Sequence, residues 1–227
     1  MKHFGDRMDR VVRFTIFLLI LCWFLPQGAA AGCVEGNCKN GSGVYVGANG
    51  KRYEGTFIRG AAGGTGTLSY PDGTVYNGSF KNGKFEGRGV LKGVDGRMYE
   101  GDFKNGIIDG QGYLTTASGI KYRGEFSLGR YHGKGVLFFP DGREYKGQFR
   151  NNLIDGQGRL VYADGSWYEG RFNNGKPRGK GIRSYPDGSL YRGELTGDIR
   201  NGHGTLELSS GDVYEGDFEN NLYLVLY

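Results

Sequence analysis

The chain is poor in the residues from which catalytic centres are usually assembled. Its 227 residues include three histidines, three cysteines, three methionines and two tryptophans. His3 lies near the start. His132 stands where sister segments carry Asp109, Asp155 and Arg178, and His203 where they carry Lys134, Gln157 and Lys180. A position that accepts such exchange within one chain reads as a solvated loop position, not a catalytic one. No Ser-His-Asp, Cys-His or His-x-x-x-His arrangement can be assembled, so the expectation is a non-enzymatic chain without a cofactor. Metal is not expected either, because the aspartates are dispersed and no further Cys or nearby His completes a four-ligand site. Charge of one sign is also scarce. Lys and Arg number 29 against 24 Asp and Glu, and part of that excess lies in the first residues. Nucleic-acid binding needs a concentrated basic face, which this balance does not provide. After residue 32 no segment has helical periodicity.

The single long apolar run is FTIFLLILCWFL, residues 14–25. It is short of the roughly 20 residues that span a bilayer as a helix. Lys2, Arg7, Arg10 and Arg13 precede it, Pro26 ends it, and Ala29 and Ala31 follow in an Ala-x-Ala pattern. Residues 1–31 are therefore expected to be a secretory signal peptide, with an uncleaved anchor over residues 14–31 as the alternative. Ala30-Ala31-Gly32-Cys33 also resembles a bacterial lipoprotein cleavage box, in which Cys33 would be acylated. Either route exports the chain, which would then be secreted, periplasmic or membrane-associated. In an exported chain, Cys33 and Cys38 in CVEGNC are expected to close a small disulfide loop.

What the chain has in abundance is glycine, 45 residues, together with 16 tyrosines and 14 phenylalanines. They are strictly periodic. Tyr53, Tyr76, Tyr99, Tyr122, Tyr145, Tyr168, Tyr191 and Tyr214 recur every 23 residues. Two residues after each come Gly55, Gly78, Gly101, Gly124, Gly147, Gly170, Gly193 and Gly216. Two further on stand Phe57, Phe80, Phe103, Phe126, Phe149 and Phe172, then Leu195, then Phe218. A Gly-x-Gly pair follows in each complete unit, from Gly64/Gly66 to Gly202/Gly204, and then a turn such as Pro71-Asp72-Gly73 or Pro140-Asp141-Gly142. Such a period signals a repeat array whose units bury their apolar faces against their neighbours.

Within a unit, Tyr, Gly and Phe alternate with polar residues, as in a half-buried strand. Asn82-Gly83 and Asn105-Gly106 are tight-turn dipeptides. A second strand is expected after the Gly-x-Gly pair, with Leu68, Leu91, Leu114, Leu137, Leu160 and Leu206 on the tyrosine face. Arg183 replaces this leucine in one unit. The repeated strand glycines are expected to make room for aromatic rings from the neighbouring strand.

YEG-x-F, a short loop, G-x-G and P-D-G at 23-residue spacing resemble the MORN repeat (membrane occupation and recognition nexus), from residue 41 to about 218. The resemblance implies an all-β fold, an elongated, twisted antiparallel sheet of repeated β-hairpins. It also implies scaffolding or tethering, often beside membranes, and not catalysis by itself. The organisation expected is a Cys loop and half repeat over 32–52, seven repeats over 53–213, and a truncated repeat with an apolar end over 214–227. The expected partner is a protein. A second reading is recognition of membrane lipid headgroups by Arg123, Lys146 and Arg192 on the polar rows, with Lys81, Lys104 and Lys134 in loops. Leu222, Leu224 and Leu226 would share one face of the terminal segment, either as a cap over the last hairpin or as an edge for self-association.

Overall fold

The computed structural model describes residues 31–225. The expected leader therefore lies outside the described residues, apart from Ala31, and so do Leu226 and Tyr227. Among the described residues there are eighteen strands and no helix. They fall into two compact units. The N-terminal unit runs to Ala117 and includes Phe126–Gly129; the C-terminal unit takes Ser118–Glu125 and continues from Arg130.

The N-terminal unit contains β1 (Gly32–Gly36), β2 (Gly41–Val46), β3 (Arg52–Ile58), β4 (Ala61–Ser69), β5 (Val75–Lys81), β6 (Lys84–Lys92), β7 (Met98–Lys104) and β8 (Ile107–Thr115). Next come β9 (Lys121–Ser127), β10 (Arg130–Phe138), β11 (Glu144–Arg150), β12 (Leu153–Val161) and β13 (Trp167–Asn173). The chain ends with β14 (Lys176–Ser184), β15 (Leu190–Thr196), β16 (Ile199–Glu207), β17 (Val213–Glu219) and β18 (Leu222–Tyr223). Within each unit, successive strands pair antiparallel in chain order.

Two kinds of turn alternate. Asn82-Gly83 has φ of 51° and 75° and closes β5 onto β6. Both residues are left-handed, the backbone that Asn-Gly favours in two-residue hairpins. Between repeats, the Gly73 N–H donates to the Tyr70 carbonyl at 2.9 Å. The Asp72 carboxylate there accepts the Thr74 N–H at 2.8 Å. Two tight turns carry neither Asn nor Gly at their first place, Arg59 at φ 53° and Leu128 at φ 50°, and Leu128 is 70% exposed. An ordinary L-residue is strained there by about 1–2 kcal/mol, whereas Asn enters the region readily. Leu128→Asn is expected to stabilise the protein by about 1 kcal/mol in a denaturant titration.

The Tyr, Phe and Leu positions share the buried face. Tyr76, Tyr99, Tyr122, Tyr145, Tyr168 and Tyr191 are at most 1% exposed. Tyr99 meets Leu91 and Leu114 across the ladder and Tyr145 meets Leu137 and Leu160, while Tyr168 and Tyr191 each face Arg183 on one side. Phenylalanines join one repeat to the next edge-on: Tyr53 touches Phe57 at 5.0 Å and Phe80 at 4.9 Å, and Tyr145 touches Phe149 at 5.2 Å and Phe172 at 5.0 Å. Edge-to-face pairs of this kind add about 0.5–1.5 kcal/mol each beyond area burial.

The Gly-x-Gly pair corrects the expected strand boundary. It lies inside the second strand, not before it. Along β11–β12 the ladder steps from Gly147↔Gly158 to Phe149↔Ile154 and leaves Gln148 without a cross-strand partner. The same step recurs at Gly55/Phe57, Gly78/Phe80 and Gly101/Phe103. The first glycine of the pair absorbs this bulge, with φ of 73° at Gly64 and 57° at Gly133. The carbonyl that the bulge frees is taken by the tyrosine three residues earlier. Tyr145 Oη donates to the Gln148 carbonyl at 3.1 Å, Tyr53 to Thr56 at 2.8 Å and Tyr99 to Asp102 at 3.0 Å. A phenylalanine could fill the space but could not make this bond.

To reach that carbonyl the ring must lie flat on the backbone. A Cβ on Gly135 would stand 2.5 Å from Tyr122 Oη and 2.6 Å from its Cε2. Here the ring does come from the neighbouring strand, as expected. At the first glycine of a unit the obstacle differs: a Cβ on Gly124 would meet the Gly135 Cα at 2.5 Å and the Lys134 carbonyl at 2.6 Å, with its own strand's Tyr122 Oη at 2.8 Å. Burial is the main cause that pushes these phenols up, Tyr76 to about 12 from an ordinary 10.0. A phenol whose folded value is raised contributes stability that is whole below pH 10 and is lost as pH climbs towards 12. The melting temperature is therefore expected to fall above pH 10, in step with tyrosinate absorbance.

Candidate binding groove

The strand glycines align across the ladder. In the C-terminal unit they pair as Gly135↔Gly147, Gly158↔Gly170, Gly181↔Gly193 and Gly204↔Gly216 on one side of each strand. On the other side they pair as Gly147↔Gly158, Gly170↔Gly181 and Gly193↔Gly204. The result is a line without side chains, flanked on the polar face by two rows of outward residues. One row holds Val136, Lys146, Arg159, Glu169, Ile182, Arg192, Thr205 and Glu215. The other includes Lys134, Gln148, Gln157, Lys180 and His203. Floor and rows together enclose a groove of about 1320 Å³ that crosses β10–β17.

The groove is positively charged. Lys134, Lys146, Arg159, Lys180 and Arg192 line it, against Glu169 and Glu215. Arg159 reaches Glu169 at 3.3 Å and lies 4.0 Å over the Trp167 ring. Arg192 reaches Glu207 at 3.4 Å, and His203 Nδ1 is 3.2 Å from Asp217. Lys134, Lys146 and Lys180 make no ion pair among the described residues. His132, His203 and Lys134 had been read as loop residues. They are exposed strand residues, because the second strand begins directly after the two-residue turn. Lys81 and Lys104 close β5 and β7. Lys146 and Arg192 stand in the groove, Arg123 on β9 outside it.

The ends differ from expectation at one side. Residues 32–52 form a whole hairpin, since β1 pairs with β2 from Gly32↔Val46 to Gly36↔Gly43. Without a framework Tyr or Phe, this first strand left no periodic signal. Cys33 and Cys38 are joined by a disulfide, with Cα atoms 5.8 Å apart. Cys38 lies in the turn before β2, so the bridge ties β1 to that turn, and β1 itself is the edge. At the other end, Tyr223 takes over the role of a framework tyrosine. Its ring covers Gly216 and its Oη donates to the Glu215 carbonyl at 2.9 Å, while Leu222 and Leu224 are 70% and 42% exposed. Tyr214, which has no second Gly-x-Gly to cover, is 39% exposed.

One core row has no signature residue. Ala62, Phe85, Ile108, Tyr131, Ile154, Pro177 and Arg200 occupy the same place after the tight turn. Phe85 stacks on Tyr76 at 3.7 Å and Tyr131 on Tyr122 at 3.8 Å. Arg183, the leucine replacement, lays its guanidinium 4.0 Å over the Tyr162 ring, and Tyr162 Oη donates to Asp198 at 3.0 Å. Among the described residues no cluster of three His, Cys, Asp or Glu could hold a metal ion, and no helix is long and apolar enough to cross a membrane.

A family model for the MORN repeat matches residues 32–52, 53–75, 76–96, 99–121, 122–142, 145–167, 168–190 and 191–213. No curated protein matches the chain. Among solved structures, the chain is similar to the TCP domain of Drosophila melanogaster SAS-4 (dCPAP), determined with a proline-rich motif of Ana2 (dSTIL). Identity is 13%, coverage 88% of this chain and 99% of that one, and the TM-score 0.44. The TCP10 domain of Danio rerio CPAP is similar at 19% identity, covering 77% of this chain and 93% of that one, with a TM-score of 0.30.

Proposed function

The chain belongs to the MORN-repeat family, and on that premise we propose that it is a non-enzymatic, exported scaffold that tethers a protein partner at the cell envelope or a membrane. The observation that carries this is the groove across β10–β17: a long recess with a backbone floor, lined by residues that the repeat framework does not require. It can hold a polypeptide segment by contact along its length. It offers neither a nucleophile with a base nor a metal ligand set.

Export is supported by the basic-then-apolar leader and by the Cys33–Cys38 bridge, since disulfides persist in oxidising compartments. Intact mass and N-terminal analysis of the mature protein distinguish cleaved signal, acylated Cys33 and retained anchor. A disulfide-bonded chain beginning near Gly32 is expected.

To test the groove, Ile182→Trp fills it without touching the core, and Val90→Trp makes the same change at the corresponding place in the N-terminal unit. Partner retention in affinity purification from the native source should fall with the first variant and not with the second. Equal retention by both would remove the groove from the account.

Leu222 and Leu224 support a further contact, association of two copies through the C-terminal edge, where an isologous pairing closes. Deleting residues 222–227 is expected to halve the molar mass by light scattering. It should also lower the melting temperature by roughly 2–8 °C, as loss of 1–2 kcal/mol would, because Tyr223 leaves Gly216 and Phe218 uncovered. An unchanged mass with a lower melting temperature would make the tail a cap only.

The alternative reading, peripheral attachment to lipid headgroups, is supported by the unpaired Lys134, Lys146 and Lys180. Flotation with anionic vesicles at low and raised salt tests it, since electrostatic attachment weakens as salt rises.

A further inference from the structure

We propose that the groove is selective by charge and takes an extended acidic polypeptide segment of the partner, a reading that rests on the groove being the partner site. The first reason is the charge pattern. Lys146 stands directly opposite Arg159 in the ladder, and like charges directly opposite destabilise a sheet. On its other side Lys146 faces Val136, which offers no countercharge. Arg159 is drawn to Glu169, which leaves Lys146 with no carboxylate within ion-pair distance. Lys134 and Lys180 are likewise without an ion pair among the described residues. Lys180 has Glu194 opposite it in the ladder, so an acidic occupant would chiefly relieve Lys146 and Lys134 and would give Lys180 a further partner.

The second reason is that the repeat does not require this charge. The same rows of the N-terminal unit carry Thr67, Asn77, Val90, Glu100 and Tyr113, and Thr65, Ser79, Arg88, Asp102 and Gln111. There Arg88 is matched by Asp102 at 3.5 Å. In full, the C-terminal rows carry Lys134, Lys146, Arg159, Arg171, Lys180 and Arg192 against Glu169, Glu194, Glu215 and Asp217, whereas in the N-terminal rows Arg88 stands against Glu100 and Asp102, so the cation excess belongs to the C-terminal rows.

The third reason is shape. Eight strands at a spacing of about 4.8 Å make a line of roughly 34 Å, the length of about ten extended residues. The glycine floor lets a backbone approach closely, and Val136 and Ile182 give it apolar contact. The cations are spread along this line, not gathered around a point. That suits a string of carboxylates better than one phosphate. A recessed floor is also poorly placed for a flat bilayer.

The experiment measures fluorescence anisotropy of a labelled ten-residue glutamate peptide with the full mature chain, beside ten-residue lysine and glycine–serine peptides. The glutamate peptide should bind, weaken as salt rises, and lose at least tenfold in affinity with the double change Lys146→Glu and Lys180→Glu. Both sites are exposed, and Lys146→Glu gains Arg159 opposite it while Lys180→Glu meets Glu194, so the two small effects oppose and the melting temperature should change little. Ile182→Trp should abolish binding as well. If Ile182→Trp abolishes binding of all three peptides while the charge reversals change nothing, the groove stands and the acidic preference is overturned. If glutamate binding survives Ile182→Trp, the groove reading itself fails. Attachment to phosphatidylserine vesicles that the double variant loses, without binding of the glutamate peptide, would overturn the proposal in favour of a lipid surface.

Discussion

Gly135→Val is expected to destabilise the protein by about 3 kcal/mol, the upper end of the usual range for overpacking. The position has no slack. A Cβ there would lie 2.5–2.7 Å from three atoms of the Tyr122 phenol. The ring cannot retreat without surrendering its bonds, since Tyr122 Oη donates to the Glu125 carbonyl at 2.8 Å and lies 3.3 Å from the His132 carbonyl. Its far side is covered by Tyr131 at 3.8 Å and Phe149 at 5.0 Å. A valine therefore clashes with a group that is fixed from every side. Gly32→Val serves as the control: its Cβ would have nothing within 4 Å, and it should melt like the parent. If Gly135→Val also melts like the parent, the ring-over-glycine account is wrong.

The tyrosine itself provides the second large effect. Tyr145→Ala should cost about 3–5 kcal/mol, as for other large aromatic side chains removed from a core. Tyr145→Phe keeps the ring and its edge contacts and removes only the hydroxyl. It leaves the Gln148 carbonyl, already unpaired in the ladder, without its donor. The bond is only half-buried and Gln148 itself is exposed, so its loss should cost about 0.5–1.5 kcal/mol. Tyr214→Phe should be nearly silent, because that ring is partly exposed and covers no second glycine pair. Denaturant titrations of the three variants separate ring from hydroxyl. Equal stability of Tyr145→Phe and the parent would mean that tyrosine recurs here for a reason other than the bulge.

Much of this fold was legible because its rules repeat. The spacing of Tyr53 to Tyr214 gave the period, alternation gave the strands, and Asn82-Gly83 and Pro71-Asp72-Gly73 gave the turns. The position of Gly64/Gly66 was misread for a physical reason. A Gly-x-Gly pair looks like a loop, and only the ladder shows it to be a bulge inside a strand. The stacking row from Ala62 to Arg200 was missed because its residue type changes in every repeat, so no periodic signal exists there. β1 was missed because Val34 and Glu35 stand in a strand that lacks the aromatic framework.

The groove was hidden for the opposite reason from the core. Periodicity averages over units, whereas Lys146, Arg159 and Lys180 matter because they differ from their counterparts Asn77, Val90 and Gln111. Laying the repeats side by side would have shown the like-charged neighbours Lys146 and Arg159. That signal was present in the sequence, but Lys146 was read there only with Arg123 and Arg192, one residue from each of three repeats, and not against its neighbour across the ladder. The disulfide was legible from two cysteines alone, because a short loop in a chain expected to be exported leaves few other uses for them.

The central claim is that a partner lies along β10–β17 and that the rest of the repeats support that face. A photoreactive residue placed singly at Val136, Ile182 and Thr205, and at Thr67 and Val90 in the same row of the N-terminal unit, tests it most directly. After irradiation in the native source, the account predicts one common adduct from the three groove positions and none from the other two. Adducts formed equally from Thr67 and Val90, or none from the groove positions, would contradict it.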